Sequence, residues 1–113
     1  MKKTLDRRKE SKKLLTWAEQ STFRYESSVV TGTLIMYGTG RSSKVTASEY
    51  DRMLKHFKGK TVYCGTSRDS PQRGSLGEWL QENIEKRTIA SYVGAILMHE
   101  EYAKRLGSQI QFL

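Results

Sequence analysis

TFRYESSVVTGTLIMYGTGRSSKVTA, running from Thr22 to Ala47, is the stretch on which the fold turns. Phe23 and Tyr25 alternate with polar neighbours. Val29, Val30, Thr31, Thr33, Leu34, Ile35, Met36 and Tyr37 then form a β-branched and aromatic run, the residue types that suit a pleated surface. Apolar residues of both parities in the later part predict a central strand. Gly38, Gly40, Ser42 and Ser43 punctuate the run as a turn, after which Lys44 to Ala47 returns as a short paired strand. The simplest product is a hairpin whose tip carries Arg41 and Lys44.

Upstream, MKKTLDRRKESKK carries seven bases and one large apolar residue, Leu5, too little to offset the entropy of ordering it, so residues 1–13 are expected to be a basic flexible arm. The domain proper is then 14–113. Leu14, Leu15, Trp17 and Ala18 fit a short helix anchored by Trp17.

Downstream, Ser48 and Asp51 have the spacing of a helix start. Tyr50, Met53, Leu54 and Phe57 repeat at helical intervals up to Gly59, and Arg52, Lys55 and Lys58 occupy the opposite face. Lys60 to Cys64 reads as a strand and TSRDSPQRG, residues 66–74, as an exposed loop around the only proline. Ser75 and Glu78 form a capping-box pair for a helix with Leu76, Trp79, Leu80 and Ile84 on one face. A last helix starts at Thr88, with Ile89, Val93, Ile96, Leu97 and Ala103 at core spacings, and stops near Leu106 before Gly107. QIQFL closes the chain as an edge strand.

The fold class is therefore α+β: one small domain with a β-hairpin sheet, a mid-chain helix and a C-terminal helix pair. The pair followed by a strand has the order of a winged helix, and Ala90 and Gly94 supply small residues for a close helix contact. In that arrangement Ser91 and Tyr92 would read bases. Against it, Glu82, Glu85, Glu100 and Glu101 bring carboxylates toward phosphate unless they point away, and two core helices packed closely at Gly94 explain the same pattern.

Charge narrows the partner. The chain of 113 residues carries 20 Lys and Arg against 12 Asp and Glu, a formal +8, with no run long enough to span a bilayer and no apolar stretch of secretory type at its start. A cytoplasmic location is expected. Residues 1–24 hold +5 and 25–65 hold +3, whereas 76–113 sum to −1, so the basic character belongs to the first two thirds. Arg7, Arg8, Lys9, Lys12 and Lys13 in the arm, Arg41 and Lys44 at the hairpin tip, Lys55, Lys58 and Lys60 around the mid-chain helix, and Arg68 and Arg73 in the loop are the candidate phosphate contacts. If tip, helix and loop converge, they make one basic face; otherwise they are solvated surface.

Chemistry-bearing motifs are sparse. GTGRSSK, residues 38–44, lacks the spacing of a phosphate-cradling loop of the GxxxxGK[ST] kind. His56 stands among lysines and is the one candidate general base, which would make a small ribonuclease. His99 has no partner at metal-ligand spacing, and Cys64 is expected to be a small core residue, so neither a metal site nor a cofactor is expected. The leading expectation is a non-enzymatic nucleic-acid-binding protein, DNA ahead of RNA, serving as a regulator or accessory factor of bacterial or phage type. The alternatives are an interaction factor for an acidic protein and the His56 ribonuclease. Phe112 and Leu113 either pair across a homodimer or tuck onto their own sheet.

Overall fold

The structure, a computed structural model, describes residues 11–113. Four strands form an antiparallel meander in chain order: β1 (Ser11–Leu15), β2 (Thr22–Ser28), β3 (Gly32–Tyr37) and β4 (Arg41–Thr46). Helix α1 (Ala47–Phe57) follows directly. A second sheet of three strands has the order β5 (Thr61–Tyr63), β7 (Gln109–Phe112), β6 (Ala103–Leu106), and α2 (Leu76–Asn83) and α3 (Ala90–His99) lie between β5 and β6 in the chain. The α+β class holds, with two antiparallel sheets rather than one hairpin sheet.

The period-2 pattern decides which side of the meander is buried. Phe23 and Tyr25 of β2, Thr33 and Ile35 of β3, and Ser43 and Val45 of β4 face the core. Their alternates Thr22, Arg24, Ser42 and Lys44 are exposed. The valine run does not extend the strand as the residue types suggest. β2 and β3 pair as far as Ser28 opposite Gly32, and Val29, Val30 and Thr31 form the loop between them. Gly32 explains the break: it adopts φ +92, and a Cβ there would meet the Val45 carbonyl oxygen at 3.0 Å.

Helix α1 begins where β4 ends. Thr46 is its N-cap, accepting from the Glu49 amide at 3.1 Å while the Glu49 carboxylate accepts from the Thr46 amide at 2.9 Å, two residues ahead of the expected start at Ser48. Tyr50, Met53 and Phe57 are buried, each contributing roughly 1.5–3 kcal/mol by removal from water. The buried Tyr50 hydroxyl is satisfied by Thr33 at 2.8 Å. Ser75 caps α2 through the Glu78 amide, as expected, but the Glu78 side chain reaches Gly74 rather than closing the box on Ser75.

Three expected elements are corrected. The segment read as a short helix at Leu14–Ala18 instead begins with the last two residues of strand β1, because Lys12 and Leu14 register with Tyr25 and Phe23 and the pairing overrides a helical spacing only five residues long. Trp17 is nevertheless buried, as its anchoring role requires. Of the expected arm, Ser11, Lys12 and Lys13 belong to this strand, and residues 1–10 lie outside the described residues. The last helix stops at His99, and Ala103–Leu106 forms strand β6, turning through Gly107 at φ +62 into β7. QIQF is consequently the central strand of its sheet, not an edge. Phe112 is tucked inward, stacked on Phe57 at 4.8 Å, while Leu113 is exposed.

Helix α3 is a core helix. Ala90, Val93, Gly94, Ala95, Ile96 and Leu97 are all buried, six of its ten residues. Gly94 lets it approach Trp17 and Cys64, since a Cβ there would stand 3.0 Å from both side chains. The packing explanation of the small-residue pair is the one the fold adopts.

Candidate nucleic-acid interface

The β3–β4 turn, Gly38–Gly40, is the centre of the candidate interface. Both glycines need positive φ, +56 and +73, and nothing stands within 4 Å above Gly40. A groove opens on each side of this turn. One, of about 570 Å³, is lined by Lys13, Phe23, Arg24, Met36, Tyr37 and Arg41 among others. The second, of about 660 Å³, takes in Tyr37, Arg41, Arg68, Lys86, Arg87 and Tyr92. Tyr37, Gly38 and Arg41 line both, so the two recesses meet at the turn, and together they are called the trough, with Gly38, Thr39 and Gly40 as the ridge between its halves.

Six cations line this trough and no carboxylate does, among the described residues. Strand register forces the first pair together. Lys13 and Arg24 are directly opposite on β1 and β2, both exposed on the outer face, where like charges on adjacent strands repel. Arg24 donates only to the Ser11 hydroxyl, at 3.3 Å. Arg41 follows the turn, Arg68 is carried in by the 66–74 loop, and Lys86 and Arg87 sit in the connection from α2 to α3. The loop is tied down by Gln81, whose side-chain amide donates to the Arg68 carbonyl at 3.2 Å.

Only two ion pairs occur among the described residues, Lys55 with Asp51 and Arg87 with Glu85, each at 3.0 Å. Five of the trough cations therefore have no acidic partner among the described residues. Glu85 also accepts from the Ser43 hydroxyl at 3.0 Å, and Ser43 bonds the Tyr37 hydroxyl at 2.9 Å. Arg87 donates to the Ser42 carbonyl as well. This chain fixes the α2–α3 connection against β4 and aims Arg87.

The trough has an aromatic floor. Tyr37 and Tyr92 stack at 4.6 Å, and Phe23 meets Tyr92 edge-on at 5.1 Å. Burial raises the Tyr92 phenol above its ordinary range, Tyr37 adds to the shift and Arg41 opposes it. The ring is thus a neutral surface beside the guanidinium groups at any pH near neutrality.

The expected contacts divide. Lys13, Arg41 and Arg68 meet in the trough, joined by Arg24, Lys86 and Arg87, which sequence reasoning did not single out. Lys12 points to the core side of β1, its ammonium over the Tyr25 ring at 4.5 Å and bonded to the Ser27 carbonyl. Lys44 is exposed on β4 beyond the trough lining, and Arg73 and Lys60 line neither groove. Lys55 and Lys58 border a separate recess with Leu54, Glu101, Tyr102 and Leu113. The mid-chain helix therefore does not share a face with the hairpin tip and loop. Arg7, Arg8 and Lys9 lie outside the described residues.

The remaining chemical candidates fall away from the trough. His56 is exposed on α1 between Phe57 and Trp79, with ring distances of 4.7 and 6.2 Å, and borders neither groove. Cys64 is buried, its thiol pushed up to about 12 by desolvation, and donates weakly to the Ala90 carbonyl at 3.6 Å. Glu100 points inward to Tyr25 and Val29, away from the basic surface. Ser91 and Tyr92, on the core helix α3, cannot enter a major groove as a recognition helix would. No family model, no curated protein and no solved structure matches the chain.

Proposed function

We propose that the protein binds nucleic acid through the cationic trough around Gly38–Gly40, as a regulator or accessory factor of bacterial or phage type working in the cytoplasm. The observation that carries this reading is the absence of acidic partners for Lys13, Arg24, Arg41, Arg68 and Lys86, among the described residues. Holding like charges together costs stability in the free protein, most plainly at the cross-strand Lys13–Arg24 pair. A phosphate chain recovers that cost, because each neutralised phosphate releases a condensed counterion.

Binding on this basis is driven by phosphate rather than by base identity. Arg41 at the turn and Arg87, fixed by Glu85 and the Ser42 carbonyl, set the register of the chain. The phenol pair beneath them supplies apolar contact. The test is anisotropy of a labelled mixed-sequence oligonucleotide titrated with protein at low salt and then at graded salt. Saturable binding whose logarithm falls steeply with log salt supports the proposal; no binding to DNA or RNA at low salt overturns it.

A further inference from the structure

We propose, resting on the nucleic-acid reading above, that the ligand is single-stranded, its backbone crossing the Gly38–Gly40 ridge from the Lys13–Arg24 side to the Arg68–Lys86–Arg87 side. Three features of the trough point this way.

The first is shape. Reading a duplex in its major groove takes a projecting helix or a two-stranded ribbon. Helix α3 is locked in the core by Val93, Ile96 and Leu97, and α2 carries no base but does carry Glu78 and Glu82. Helix α1 does expose Arg52, Lys55 and Lys58, yet Asp51 shares that face and already holds Lys55 at 3.0 Å. Five cations without an ion pair among the described residues, Lys13, Arg24, Arg41, Arg68 and Lys86, instead line two recesses, of about 570 and 660 Å³, which admit a flexible chain.

The second is the floor. Phosphate contacts alone would need only a rim of cations, whereas here the half-buried Met36, Tyr37 and Tyr92 line the recesses between them. Unpaired bases have faces and edges free to rest on such rings, and a charged groove with an aromatic bed is how sequence-tolerant single-strand binders work. Paired bases keep those surfaces inside the duplex.

The third is the ridge. A strand passing between the recesses must cross the turn closely, where Gly38 and Gly40 add no bulk on either side of the one exposed side chain, Thr39. Any Cβ at Gly40 would stand in open space, so its glycine answers the φ of +73 rather than a packing constraint, and the backbone there is open to a passing strand.

The experiment is a competition among equal-length, mixed-sequence DNA single strand, RNA single strand and DNA duplex, at one salt concentration. The expected result is an affinity for one or both single strands about tenfold above that for the duplex. Tyr92→Leu, which keeps apolar bulk, should weaken single-strand binding about tenfold and leave the weak duplex binding unchanged. If Tyr92→Leu lowers the thermal midpoint strongly, Met36→Gln on the open face of β3 serves instead, with a smaller loss of the same selectivity. A duplex bound as tightly as the strands overturns the single-strand inference and leaves the nucleic-acid reading standing. Failure of all three ligands to bind overturns both.

Discussion

The Tyr25 hydroxyl donates to one carboxylate oxygen of Glu100 at 2.6 Å, and the other oxygen accepts the Val29 amide at 3.0 Å. One side chain at the end of α3 thereby holds both the middle of β2 and the loop that ends it. Burial first, then the Glu100 bond, raises the Tyr25 phenol far above its ordinary range, so the group is a permanent donor. Replacing Glu100→Ala leaves a hydroxyl and an amide without their partner and should cost about 2–3 kcal/mol. Tyr25→Phe should cost less. Chemical denaturation of both variants checks this; equal stability of Glu100→Ala and the parent would remove the clamp from the list of stabilising contacts.

Close backbone approach makes two helical glycines sensitive. A Cβ on Gly77 would overlap the Gly65 carbonyl oxygen, and the Gly77 amide already donates to the Cys64 carbonyl at 2.8 Å. Gly94→Ala would press on Cys64 and Trp17, at 3.0 Å each. Overpacking of this kind costs about 1–3 kcal/mol. Gly77→Ala should be the worse of the two, because backbone cannot yield as side chains can. A thermal midpoint for Gly77→Ala at or above that of Gly94→Ala would contradict the packing described.

Cys64 should be inert in the native state. With its pKa pushed up to about 12 by burial, against about 8.5 for a free thiol, almost no thiolate exists near neutrality. Between those two values the unfolded chain has lost the proton and the folded chain keeps it, so stability falls as pH rises through that window. Alkylation at pH 8 should be negligible for the folded protein and rapid in denaturant, and the thermal midpoint should decline above about pH 9. Rapid native-state labelling would show that the site opens.

Glu85 restrains Arg87 at 3.0 Å beside the trough. Glu85→Gln removes a negative charge beside the proposed phosphate path while keeping a hydrogen-bonding side chain for Ser43. Affinity for oligonucleotide should rise by a few-fold, and the salt slope should steepen by about 0.7, one further phosphate on a single strand. A loss of affinity with the fold intact would instead make Glu85 the residue that positions Arg87.

Much of the fold was legible because local signals agreed with tertiary packing. Tyr50, Met53 and Phe57, the Ser75 cap and the loop at 66–74 all read correctly from spacing alone. Val29 and Val30 misled because residue type says strand while Gly32, needing φ +92, says turn. Leu14 and Trp17 misled because five residues cannot separate the two periods, and strand pairing decided. The candidate trough was half visible. Arg41 and Arg68 were found as turn and loop cations, but Arg24 was lost among the bases of the first segment. Its alternation with Phe23 and Tyr25, both buried, was the available signal. Lys86 and Arg87 were hidden by a net charge of −1 over residues 76–113, a sum that cannot register that Glu100 points inward. Lys55 and Lys58 border a recess apart from the trough because α1 turns them to another side, beside Asp51, which a charge count does not register.

The most direct test compares salt slopes for a labelled single strand bound by the parent, by Arg41→Gln with Lys86→Gln, and by Lys55→Gln with Lys58→Gln. Both pairs remove two positive charges from exposed positions, one of them, Lys55, already held by Asp51 at 3.0 Å. The trough pair should lower the slope by about 1.4, two phosphates' worth, and weaken binding about tenfold or more, while the helix pair leaves the slope close to the parent value. Equal losses from the two pairs, or a slope untouched by the trough pair, would contradict binding at the Gly38–Gly40 trough.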